Sequence, residues 1–122
     1  MTALAGARVL VVEDEPIVAM CLEDMLEALG CIPIGPAGRL DEGLRYAHDA
    51  ALDAAILDVN LGGEQSIAIA EALLARGIPF AFASGYAAAP EVGGAQAAPL
   101  IGKPYRESDV EAALTALLDP AD

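Results

Sequence analysis

Arg8-Val9-Leu10-Val11-Val12-Glu13-Asp14-Glu15-Pro16 joins an unbroken apolar run to three consecutive acids and a proline. A continuous run rich in β-branched residues suits a strand buried on both faces of a parallel sheet, and the acids mark its end. From Pro16 the period changes. Ile17, Met20, Cys21, Met25 and Leu29 fall near helical spacing, Pro16 suits the first turn, and Gly30 supplies a stop. The stretch reads as one βα unit, with Glu15 as a helix-start acid favoured by the helix macrodipole.

The same alternation continues outward from this unit. Cys31 to Ile34 is a short second strand, Asp41 to Ala51 a helix, and Ala54-Ala55-Ile56-Leu57 a strand ending at Asp58. Ser66 to Ala75 is a helix closed by Gly77, and Pro79 to Ala83 a fourth strand. Leu100-Ile101 is a fifth, ending at Gly102-Lys103-Pro104, and Ser108 with Glu111 reads as a capping box opening a helix that runs to Leu118. Five strand-helix alternations with short connections predict an α/β fold, a five-stranded parallel sheet with helices on both faces. The weak point is Ala87 to Ala98, where Pro90, Gly93 and Gly94 predict a fourth helix that is short or irregular.

The chain has 122 residues, 56% of them hydrophobic and 20% charged, so one packed domain spanning 1–122, with no output domain, is the expectation. Nineteen acids against six bases give a net charge of −13, a surface that repels nucleic acid and anionic membranes. The apolar run before Glu13 is too short for a signal-peptide core. Residues 77 to 102 carry one charge, Glu91, but Pro79, Pro90, Gly93, Gly94 and Pro99 interrupt any spanning helix there. A cytoplasmic monomer is expected. Cys21 and Cys31 lack metal-ligand or Cys-x-x-Cys spacing and read as small buried hydrophobes, and His48 as a solvated helix residue.

Ligands of open parallel sheets bind beyond the carboxyl ends of the strands, and here those ends are polar. The first carries Glu13 and Asp14, the third Asp58, the fourth Ser84, and the fifth Lys103, the only lysine of the chain. If the first and third strands are neighbours, three carboxylates converge, and they cannot all stay ionised without a cation. Hard oxygen donors with space for water favour magnesium. A carboxylate beside a hydroxyl, a lysine and such an ion is an arrangement for phosphoryl transfer, with Asp58 as nucleophile and an acyl phosphate as product.

Val11-Val12-Glu13-Asp14-Glu15-Pro16, Leu57-Asp58-Val59-Asn60-Leu61, Ala83-Ser84-Gly85 and Lys103-Pro104-Tyr105 together resemble the receiver domain of two-component response regulators, a flavodoxin-like fold. The likeness extends from about Arg8 to Leu118. It implies that Asp58 is the phosphoacceptor and that Asp14 and Asp58 bind magnesium together with the backbone carbonyl of Asn60. It further implies that Glu13 acts through water, that Ser84 and Lys103 contact the phosphoryl group, and that Lys103-Pro104 is cis. The implied partners are a histidine kinase or histidine phosphotransfer protein and a downstream protein target. Such a chain catalyses only its own phosphorylation and dephosphorylation, and is not an enzyme in the usual sense.

Three departures from the family pattern stand out. Glu13 replaces the commoner Asp, and Gly62 follows Asn60-Leu61 where proline is usual, making that loop pliable. Leu100 stands where many receivers carry an aromatic switch residue. Phe82-Ala83-Ser84-Gly85-Tyr86, with Gly62-Gly63, is similar to the alphaproteobacterial "FAT GUY" receivers, many of them single-domain proteins of stress signalling. Ser84, Tyr86, Leu100 and Tyr105 are thus the positions at which a switch is expected, with Ser84 as the sensor. Two rival readings are a haloacid-dehalogenase-like phosphatase and a receiver-like module that never carries phosphate. Asn60 stands where the phosphatase needs a second acid, and the intact Asp14, Asp58, Ser84 and Lys103 speak against the module.

Overall fold

The computed structural model describes residues 4–85 and 98–118. In chain order its elements are β1 (Arg8–Val12), α1 (Pro16–Ala28), β2 (Ile32–Ala37), α2 (Leu40–Asp49), β3 (Ala54–Asp58), β4 (Asn60–Leu61), β5 (Glu64–Gln65), α3 (Ile67–Ala75), β6 (Phe80–Ser84), β7 (Leu100–Gly102) and α4 (Glu107–Leu118). Five strands form one parallel sheet in the order β2-β1-β3-β6-β7, and β4 pairs with β5 as a separate antiparallel hairpin.

Period-two alternation in the central strands divides the core between the two faces of the sheet. Val9 and Val11, Ala54 and Ile56, and Ala81 and Ala83 face α1 and α4 with Leu22, Leu26, Val110 and Leu114. Leu10 and Val12, Ala55 and Leu57, and Phe80 and Phe82 face α2 and α3 with Ile69 and Leu73. Both sets are buried, which is why these strands read as unbroken apolar runs. On the second face the Phe80 and Phe82 rings meet edge to face, with centroids 5.6 Å apart. A Cβ at Gly43 of α2 would run into the Ile69 side chain, so glycine there lets α2 lie close against α3.

Several expectations need correcting. β2 runs on to Ala37, past the predicted end at Ile34, through a register shift against β1 and a second cis bond at Gly35-Pro36. α2 begins at Leu40, one residue before the predicted start, and ends at Asp49, two residues before the predicted end. Ser108 does not cap α4. The amides of Asp109 and Val110 already donate to the Arg106 carbonyl, so the helix starts at Glu107 and Ser108 sits inside its first turn. Ser66 does precede α3, but without a side-chain capping bond; its hydroxyl is buried and unpartnered. Cys31 is buried, and burial pushes its thiol upward, whereas Cys21 is exposed on α1. The irregular helix expected between Ala87 and Ala98 falls, apart from Ala98, outside the described residues. Among the described residues, no helix is long and apolar enough to cross a membrane.

Candidate functional site

The strand order reverses between β1 and β3, since β1 leads to β2 on one side and β3 to β6 on the other. That switch point is where an open α/β sheet leaves a crevice, and Val12 is in register with Leu57 across it. The next residues along, Glu13 and Asp14 after β1 and Asp58 at the end of β3, therefore emerge side by side. One carboxylate oxygen from each lies within 4.8 Å of the others. A cavity of about 310 Å³ opens here, lined by Asp14, Glu15, Asp58, Asn60, Ser84, Lys103 and the glycines at 62, 63 and 85. The glycines at 62 and 63 form the tip of the β4–β5 hairpin.

Lys103 enters from the end of β7, whose neighbour β6 hands its amide a carbonyl partner, Ser84 O, at 3.2 Å. The Lys103-Pro104 bond is cis, as the resemblance implies. Its ammonium lies 2.8 Å from Glu13 Oε2 and 3.0 Å from Asp58 Oδ2. Burial alone would lower the Lys103 pKa, but hydrogen bonds to Glu13 and Asp58 and the charges of both outweigh it, and the net shift is upward. Lys103 thus stays a cation, bridging two acids.

Glu13 is 2% exposed. Burial first, and then the nearby Asp58, push its carboxyl up to about 6 against the opposing pull of Lys103. Its Oε1 accepts the Glu15 amide at 3.3 Å, and its Oε2 accepts the Tyr105 hydroxyl at 3.3 Å as well as the ammonium. Tyr105, read from sequence as a packing or switch residue, is buried against the α1 and α4 side of the core with its hydroxyl reaching this acid. Burial and the charges of Glu13 and Asp58 raise the phenol far above its ordinary value, so it remains a donor. The sequence offered no sign of this contact, which spans 92 residues.

Asp58 is 7% exposed, with the Asn60 amide 3.3 Å from its Oδ1. Asp14 is the exposed member, and its Oδ2 accepts the Gly62 amide at 2.8 Å. Glu15 is the residue before α1, with Pro16 in the first helical position, as expected. Ser84 is buried at the end of β6 and lines the cavity. Leu100 is half-buried, in register with Phe82, on the α2 and α3 side of the core and apart from the acids. Tyr86 lies outside the described residues.

Three carboxylates and one ammonium carry a formal charge of −2 when all are ionised, so one divalent cation would neutralise the group. The donors are all hard oxygens, Asp14 is open to solvent, and the cavity has space for retained water. This set fits magnesium better than softer ions, which prefer nitrogen or sulfur.

Comparison with known proteins agrees with this architecture. The family model described as "Response regulator receiver domain" matches residues 9–115. The phyllosphere-induced regulator PhyR of Methylorubrum extorquens is 31% identical over 125 residues, covering 97% of this chain and 46% of PhyR. The chain therefore spans about half the length of that curated relative. The solution structure of SdrG from Sphingomonas melonis is 46% identical with a TM-score of 0.79, covering 97% of this chain and 99% of SdrG. The BeF3-activated conformation of SdrG, from Pseudomonas melonis, is 44% identical with a TM-score of 0.72, covering 93% of this chain and 98% of that one. With the family match running from the second residue of β1 well into α4, across the sheet whose strand ends carry these acids, the chain belongs to the response regulator receiver domain family.

Proposed function

We propose that the chain is a magnesium-dependent phosphoacceptor, taking a phosphoryl group onto Asp58 from a phosphohistidine and passing the signal on by protein–protein contact. The observation that carries this reading is the placement of Lys103 Nζ at 3.0 Å from an Asp58 oxygen, in a cavity shared with Asp14 and Ser84. In the proposed transfer a carboxylate oxygen of Asp58 forms a bond to phosphorus as the phosphorus–nitrogen bond of the donor breaks, leaving imidazole and an aspartyl phosphate. Asp14, Asp58 and the Asn60 carbonyl would hold magnesium, with Glu13 acting through water. Bound there, the ion supplies charge neutralisation for the transferring phosphoryl oxygens.

Lys103 is poised to follow the new phosphoryl group, exchanging its bond to Asp58 Oδ2 for one to a phosphoryl oxygen. It is held for this by Glu13, which Tyr105 in turn orients. Ser84 borders the same cavity and can report occupancy to the chain that follows it. At the rim, α1 exposes Ile17 by 75% and Met20 by 56%, apolar surface for a donor protein whose phosphohistidine reaches into the crevice. The similarity to SdrG, for which a BeF3-activated conformation exists, supports the phosphoacceptor reading because trifluoroberyllate on a carboxylate mimics an acyl phosphate.

Incubation with a small acyl phosphate and magnesium tests the proposal by intact mass. One added phosphoryl group is expected, lost in Asp58→Asn and suppressed by EDTA. Equal labelling of Asp58→Asn, or indifference to EDTA, would overturn it.

A further inference from the structure

The three acids of the cavity are held in two different ways. Glu13 and Asp58 are buried and share the Lys103 ammonium. Asp14 is exposed, and a solvent-exposed carboxylate ordinarily samples several rotamers at little cost. Here one of its oxygens, Oδ2, is bound at 2.8 Å by the amide of Gly62, 48 residues away. That length lies within the ordinary range of an N–H···O hydrogen bond.

The hairpin is built to deliver this amide. Asn60 pairs with Gln65 and Leu61 with Glu64, leaving Gly62 and Gly63 as a two-residue turn. Their φ values are +57° and +96°, and a tight hairpin turn with positive φ at both central positions is the type that follows the twist of its strands. At its base the hairpin is fixed beside Asp58: the Asn60 amide bonds Asp58 Oδ1, and the Ser66 amide bonds the Val59 carbonyl. The amide that orients Asp14 is therefore anchored on the strand that carries Asp58. A proline at 62 would have no such donor.

We propose that the Gly62 backbone amide is a positioning group for Asp14, turning Oδ2 towards the hairpin and leaving Oδ1 to face the cavity, and that divalent-cation affinity depends on it. The inference rests on the magnesium reading above. Outer partners of this kind fix the direction of a ligating carboxylate, and their loss costs about 10- to 100-fold in metal affinity.

The test deletes the hydrogen and keeps the backbone. Glycolic acid at position 62 replaces the amide by an ester, removing the N–H while leaving the positive φ accessible; the same replacement at Gly63 controls for the ester. Calorimetric titration with magnesium chloride alone is expected to show affinity lowered about tenfold or more by the ester at 62. The ester at 63 is expected to stay within about threefold of the parent.

Amide hydrogen exchange in the metal-free parent gives a readout independent of the ion. Gly62 should exchange more slowly than Gly63, and lose that protection in Asp14→Ala. Parent-like affinity with the ester at 62, an equal loss with the ester at 63, or a Gly62 amide no better protected than Gly63 would overturn the inference. A parent that binds no magnesium would overturn the metal reading and this dependence with it, while the exchange rates would still show whether the amide holds Asp14.

Discussion

The inner and outer halves of the cavity solve the same electrostatic problem by different means. Glu13 and Asp58 leave water at the ends of β1 and β3 and share one side-chain cation, Lys103, which is itself 20% exposed at the side chain. Asp14, one residue beyond Glu13, stays exposed and is held at one oxygen by a backbone amide. A buried ion pair is costly to assemble and costly to break, whereas an exposed carboxylate remains free to exchange water for a ligand. Glu13 and Asp58 are thus held in place by charge, while Asp14 stays open to solvent.

Removing the shared cation should have the largest effect. Lys103→Met leaves Glu13 and Asp58 buried together without neutralisation. In EDTA it should lower unfolding free energy by about 2 to 4 kcal/mol, somewhat under the cost of breaking a fully buried pair because the lysine is partly solvated. Adding magnesium should recover part of that loss, since ion binding to the folded state alone stabilises it. Urea unfolding with and without magnesium reads both effects. No loss on substitution would show that Lys103 does not balance the inner acids.

The next effect separates Asp14 from its neighbour. On the proposed reading, Asp14→Asn removes the charge of a direct ligand and should weaken magnesium binding about 100-fold, while Glu13→Gln, at a residue acting through water, should cost about tenfold. Calorimetric titration measures both. Equal losses would mean that the two halves are not distinct in metal binding, and unchanged affinity in Asp14→Asn would remove the site altogether.

The smallest effect concerns Tyr105. Tyr105→Phe deletes one hydroxyl whose bond to Glu13 is long, at 3.3 Å, and should lower stability by about 0.5 to 1.5 kcal/mol with little change in magnesium affinity. Chemical unfolding and titration of the same sample give the two numbers. A larger change in affinity than in stability would move Tyr105 from the supporting side of the cavity to the binding side.

The inner half was the more legible in the sequence. Apolar runs that stop at Glu13 and Asp58 mark strand ends, and strand ends are where such sheets hold their chemistry. The sole lysine, followed by proline after a fifth short strand, completed the set. Adjacency of β1 and β3 is a property of topology and entered only as a condition. The contact of Tyr105 with Glu13 depends on the path from β7 into α4, which no local pattern encodes.

Of the outer half, Asp14 was legible as a strand-end acid, but its contact with the hairpin was not. The pair Gly62-Gly63 between Leu61 and Glu64 carried the signal of a two-residue hairpin, but strands of two residues are too short to show alternation. The amide of Gly62 is invisible in a reading of side chains. The misplaced capping box at Ser108 has a similar origin: Ser and Glu three apart fit the motif, but the helix had already begun after Arg106.

The claim on which both halves depend is that Asp58 itself receives the phosphoryl group. Borohydride reduction of the phosphorylated chain converts an aspartyl phosphate into homoserine, and peptide mass mapping then locates the altered residue. Homoserine is expected at position 58, formed only after phosphorylation in magnesium and absent after EDTA. Homoserine at position 14, or a phosphoryl group on His48 or any hydroxyl that survives reduction while Asp58 stays unchanged, would contradict it.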